Sequence, residues 1–178
     1  MSDVGNTVNE NQEENQQPEG LRALVVDDVH LLRIVLKDML VKFGEVHPKN
    51  VFEAGGGSIA VREYKRISPD IVFLDVLMPD KSGLDVVKEI MEYDSNAYII
   101  MYSSAAERQV VHDCLKLGAT DYVLKPLDPK RLKFSLYKYE NRNDPEVLAM
   151  KAEIFLESAD SMNDSPQGDP EQLRRVRT

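Results

Sequence analysis

The chain has 178 residues, 42% of them apolar, which suits one buried core with tails. Its formal charge of -9 sits at the ends: residues 1–20 hold five acids and no base, residues 140–178 hold nine acids and five bases, and residues 21–139 hold seventeen of each sign. A neutral middle between acidic ends excludes a broad electrostatic footprint for nucleic acid or anionic membrane. The lone Cys114 excludes an intrachain disulfide.

No run of about 18 apolar residues is present, and the first residues lack a basic start followed by an apolar stretch. A cytoplasmic protein without membrane insertion is therefore expected.

Residues 1–20, rich in Asn, Gln and Glu, are expected to be a disordered acidic tail. A domain is expected over 21–140 and an extension over 141–178. Leu21 to Val26 is a short apolar run, as in a strand buried on both faces. Residues 30–43 carry Leu32, Val35, Leu36, Met39, Leu40 and Phe43 at helical spacing, and Gly44 is a natural stop. Asn50 to Ala54 reads as a strand and 58–67 as a helix. The intervening Gly55-Gly56-Gly57 lacks the Gly-Lys-Ser/Thr ending of a nucleotide loop, so it reads as a turn. Ile71 to Leu74 is a strand. Ser82 caps a helix over 83–92, Ala97 to Tyr102 is a strand, and 106–117 is an amphipathic helix ended by Gly118. Tyr122 to Leu124 is a short strand, and a helix over 129–139 follows Lys125-Pro126.

Strict strand–helix alternation implies an α/β fold with a parallel sheet covered by helices on both faces. Ligands of such sheets sit at the carboxyl ends of the strands. The residues there are Asp27-Asp28, Asp75, Ser103-Ser104 and Lys125-Pro126. Carboxylates brought that close repel one another, and a hard dication such as Mg2+ relieves the repulsion. A carboxylate beside the metal can accept a phosphoryl group. Lys125 supplies an ammonium, and Ser103 a hydroxyl, for the charge on the phosphoryl oxygens. Each has a plainer reading: Asp27-Asp28 and Asp75 as caps, Ser103 as a helix cap, Lys125-Pro126 as a turn. His30, His47 and His112 lack metal-ligand spacing, although His30 borders the site. Cys114 reads as a small buried group, and Arg174, Arg175 and Arg177 as a solvated end.

The run Val25-Val26-Asp27-Asp28, then Asp75-Val76-Leu77-Met78-Pro79 with Gly83, then Met101 to Ala105, then Gly118-Ala119 through Asp121-Tyr122-Val123-Leu124-Lys125-Pro126, resembles the receiver domain of response regulators over roughly residues 21–139. The resemblance implies a doubly wound, flavodoxin-like five-stranded parallel sheet of order 2-1-3-4-5. It implies Asp75 as phosphoacceptor, and Mg2+ held by Asp28, Asp75 and the backbone carbonyl of Leu77, with Asp27 acting through metal-bound water. Lys125 would hold the phosphoryl group, its bond to Pro126 would be cis, and Ser103 and Tyr122 would form a switch pair. Tyr122 could instead be static. The implied partners are a histidine kinase or phosphotransfer protein and a target protein docking near Val111 and Tyr122; a dimer, a relay intermediate and a phosphate-independent interaction module stay open. An aspartyl-phosphate phosphatase of the haloacid dehalogenase class would need an acid where Leu77 stands, so a signalling protein rather than an enzyme is expected. Leu77 and Ala105 are apolar where a polar group could orient an attacking water, which implies slow self-dephosphorylation.

In the extension, Asp144-Pro145-Glu146 starts a helix of about 145–158 with Val147, Leu148, Met150, Ile154 and Phe155 on one stripe. That helix either packs on its own domain or serves a partner or second copy; disorder is expected beyond it.

Overall fold

A computed structural model describes residues 18–150 together with 152 and 153. The expected acidic tail up to residue 17, and the part of the C-terminal helix beyond residue 153, lie outside the described residues. The elements are β1 (Ala23–Val26), α1 (His30–Phe43), a 3-10 turn (Pro48–Asn50), β2 (Val51–Ala54), α2 (Gly57–Ile67), β3 (Ile71–Leu74), α3 (Gly83–Tyr93), β4 (Ile99–Ser103), α4 (Arg108–Lys116), β5 (Asp121–Leu124) and α5 (Pro129–Glu140). All strand pairings are parallel, in the order β2-β1-β3-β4-β5. This is the doubly wound arrangement that the resemblance implied. A further helical stretch begins at residue 145.

The sheet stands because its strands alternate two apolar sets. Leu24, Val26, Val72, Leu74, Ile99 and Met101 point to one side, where α2, α3 and α4 contribute Ala60, Val61, Tyr64, Val86, Ile90 and Cys114. Ala23, Val25, Ile71, Phe73, Ile100 and Val123 point to the other, against Leu36 and Leu40 of α1 and Leu132 and Leu136 of α5. Every residue of β1, β3 and β4 is buried, as continuous apolar runs in a two-sided parallel sheet require. Burial of each large side chain here contributes about 1.5–3 kcal/mol.

Helix ends follow local chemistry. The Ser82 hydroxyl accepts from the Asp85 N–H at 3.2 Å, and Asp128 accepts from the Arg131 N–H at 2.9 Å with Pro129 in the first turn. Gly44 ends α1 for a different reason than a left-handed turn. Its own φ is -98°, and Glu45 takes the positive φ of 57°. A Cβ at residue 44 would lie 2.8 Å from Leu136 Cδ1, so glycine lets α5 pack across the end of α1. The α4 helix begins at Arg108, two residues later than expected, after a loop that belongs to the site described below.

Two contacts at the other end of the sheet carry no sequence signal. Asn50 is fully buried, and its side-chain amide donates to the Pro18 carbonyl at 3.0 Å, which ties residues 18–20 to the domain. Lys138 of α5 pairs with Asp121 at the start of β5, both buried. β5 thus begins on a charged residue, one position before the expected strand, because α5 supplies the countercharge. Removing one member of such a pair strands the other and costs on the order of 3–5 kcal/mol.

Candidate functional site

The strand register sets the site. Val26 of β1 lies beside Leu74 of β3, so Asp27 and Asp75 leave the sheet side by side. The backbone N–H of Asp75 donates to the Val26 carbonyl at 2.9 Å, and that of Asp27 to the Ala54 carbonyl at 3.2 Å. Each acid is then aimed by its own backbone: Asp27 accepts from the Val29 N–H at 2.8 Å, and Asp75 from the Val76 N–H at 2.7 Å. Asp27 and Asp75 are buried and Asp28 is exposed, and one carboxylate oxygen from each lies within 4.8 Å of those of the others. Two unit negative charges at that separation repel by about 3 kcal/mol in a partly hydrated crevice.

Lys125 reaches this cluster from the far side of the sheet. Its Nζ donates to Asp27 Oδ2 at 2.6 Å and to Asp75 Oδ2 at 2.8 Å, and it stands 5.2 Å from the centroid of the Tyr102 ring. The lysine is set by β5: its N–H donates to the Ser103 carbonyl at 2.9 Å, and the Lys125–Pro126 bond that follows is cis. Burial alone would lower the Lys125 pKa; the bonds to Asp27 and Asp75 outweigh it and raise the pKa. Three acids and one lysine leave two negative charges, the charge a divalent cation neutralises. All the ligands on offer are oxygens, which suits Mg2+.

Ser103 is fully buried, and its hydroxyl accepts from the Ala105 N–H at 3.3 Å. Tyr122 is half-buried, and its hydroxyl donates to the Ala105 carbonyl at 2.6 Å. The two side chains thus hold one residue of the β4–α4 loop from both sides. Burial pushes the Tyr122 phenol up to about 12, so it remains a donor across the neutral range. Leu77 and Ala105 part company. Leu77 is 67% exposed beside the acids, whereas Ala105 is buried under its loop, so of the two only Leu77 presents an open apolar face there. His30 is exposed at the rim, its Nδ1 3.0 Å from an Arg33 guanidinium nitrogen.

Sequence reasoning passed over Arg33. Its guanidinium donates to the Asp27 carbonyl at 2.8 Å and to that of Asp28 at 3.4 Å, and pairs with Glu53 of β2 at 3.4 Å. It therefore fixes the backbone that carries both acids. The only signal available was its place one turn into the helix that follows the acid pair.

A family profile described as the response regulator receiver domain matches residues 23–137. The chain is 42% identical over 120 residues to a chemotaxis protein CheY of Thermotoga maritima, covering 67% of this chain and 97% of that protein. It is 40% identical over 121 residues to the CheY of Bacillus subtilis, covering 67% and 98%. Its structure is similar to the crystal structure of a CheX–CheY–BeF3–Mg2+ complex from Borrelia burgdorferi, with TM-score 0.60 and 32% identity, covering 66% of this chain and 87% of that one.

The lysine clamp predicts a measurable asymmetry. Lys125→Met leaves the acids without their countercharge and should lower stability in EDTA by roughly 3 kcal/mol, the low end for a broken buried pair because Asp28 admits water. Added Mg2+ should restore much of that loss, as read by urea unfolding with and without the ion. Because the folded pKa is raised, the wild-type contribution should hold below the ordinary lysine pKa and disappear as pH rises through the raised value.

Proposed function

The chain belongs to the response regulator receiver family, and from that premise we propose that it is a phosphorylation switch whose acceptor is Asp75. The observation that carries this reading is the Lys125 ammonium held between Asp27 and Asp75 at 2.6 and 2.8 Å. A carboxylate oxygen of Asp75 attacks phosphorus of a phosphohistidine on a kinase or phosphotransfer protein. The P–N bond breaks, the imidazole leaves, and an aspartyl phosphate remains. Lys125 follows the transferred charge to a phosphoryl oxygen, giving up its bond to Asp75. Asp28, Asp75 and the Leu77 carbonyl would hold Mg2+, with Asp27 beside them to complete the negative charge that draws the ion in. The cation, when bound, neutralises charge that builds on the phosphoryl oxygens.

The readout follows from the hydroxyls. Ser103 turns to donate its O–H to a phosphoryl oxygen, and the turn carries its oxygen away from the Ala105 N–H. The β4–α4 loop is then released, and Tyr122 loses its acceptor at Ala105 and turns inward. Phosphorylation shifts a population already present, and the face formed by α4 and β5 near Val111 and Tyr122 changes its affinity for a target protein. The chain acts in the cytoplasm as a signalling protein rather than as an enzyme.

Beryllofluoride with Mg2+, the pair present in the Borrelia structure, tests this reading. Binding should be saturable, require both ions, shift the Ala105 and Tyr122 amide resonances, and be lost in Asp75→Asn. Binding that persists in Asp75→Asn would refute the assignment. The phosphorylated protein should also decay slowly because Leu77 offers no polar group to an attacking water. Leu77→Asn should shorten its lifetime several-fold in a phosphate-release assay; an unchanged lifetime would count against that role for Leu77.

A further inference from the structure

The loop between β3 and α3 leaves the site with Asp75 and returns at Gly83, whose N–H donates to the Val76 carbonyl at 2.8 Å. Met78 is inserted in the core beneath it. The outer turn of the loop is held by Asp80, an exposed residue outside the acid cluster. Asp80 accepts from the Gly57 N–H at 3.0 Å and from the Ser58 N–H at 2.9 Å, with one carboxylate oxygen for each. These are free N–H groups at the start of α2, where the helix favours a negative charge. The two bonds hold the Asp80 carboxyl down to about 2, so the latch is ionised at any working pH.

The glycines after β2 make this approach possible. A Cβ on Gly56 would lie 2.8 Å from Asp80 Oδ1, and one on Gly57 would lie 2.6 Å from the Lys81 carbonyl. The turn is glycine-rich because another loop is pressed against its backbone. It places no side chain among the acids, yet it is the surface on which the Leu77-bearing loop rests.

We infer that Asp80 is a positioning residue for the metal site: by clamping the β3–α3 loop to the start of α2, it fixes where the Leu77 carbonyl stands relative to Asp28 and Asp75. The inference rests on the reading of the acids as an Mg2+ site. Without the clamp, the loop is still tied at Met78, at Gly83 and by the Lys81–Glu89 pair to α3, but its outer turn loses its hold on α2, and a carbonyl ligand must be ordered anew each time the ion binds. Mg2+ affinity falls while the acids themselves are untouched. Partners hydrogen-bonded directly to a metal ligand contribute about tenfold or more in affinity, and Asp80, acting through the loop, belongs at the low end of that range.

The test is an Mg2+ titration of the full chain, followed by the Val76 and Leu77 amide resonances, alongside thermal unfolding in EDTA. Asp80→Ala should raise the Mg2+ Kd about tenfold. Asp80→Asn, which keeps one acceptor oxygen, should raise it less, and carries the test alone if Asp80→Ala does not fold. Asp70→Ala is the control: Asp70 accepts from the Arg22 N–H at 2.8 Å at the opposite end of the sheet. It should lower the unfolding temperature and leave the Kd unchanged. A wild-type Kd in the Asp80 variants, or an equal rise in Asp70→Ala, would overturn the inference. No saturable Mg2+ binding by the wild-type chain would sink the metal-site reading itself, and this inference with it.

Discussion

Crowded negative charge at one edge of the sheet is the constraint on which the rest depends. Asp27 and Asp75 are buried side by side because β1 and β3 pair in register, and the sheet cannot move them apart without breaking that pairing. Something positive has to stand between them. In this structure it is Lys125, delivered from the far strand across Ser103. One lysine against three acids leaves the cluster short of neutrality by two charges. That deficit is the charge a hard dication would neutralise.

On the proposed reading, function consists of moving the Lys125 ammonium from one acceptor to another. With Lys125 on the acids, the Ser103 and Tyr122 hydroxyls both hold Ala105. A phosphoryl group on Asp75 would take that ammonium and draw the Ser103 hydroxyl away from Ala105. No large motion of the sheet is needed, because the competing bonds lie within one loop and its neighbours. Strands buried on both faces would keep the frame rigid during such a change of partners.

Much of this was legible in the chain. Apolar runs of three to six residues ended in charged or hydroxyl residues, and strand ends are where a parallel sheet puts its chemistry. Asp27, Asp28, Asp75, Ser103 and Lys125 could be named because each follows such a run. What was not legible depends on contacts between segments far apart in sequence. Arg33 looks like any helix-surface arginine until β2 brings Glu53 beside it. Asp80 has the composition of a turn, and its partners are the amides of Gly57 and Ser58, which have no side-chain signature. Lys138 and Asp121 carry no mark of burial in the chain, and only the packing of α5 on β5 buries them together. Gly44 was recognisable as a stop, but its cause, the closeness of Leu136, lies in another helix.

The central claim concerns where one cation sits. Crystals grown with Mn2+ as an anomalous scatterer in place of Mg2+ would locate it directly. The account requires a single strong peak at roughly 2 Å from carboxylate oxygens of Asp28 and Asp75, with the Leu77 carbonyl in the same shell and Lys125 displaced from none of its strand contacts. A peak elsewhere on the surface, or none at the acids at saturating Mn2+, would contradict it.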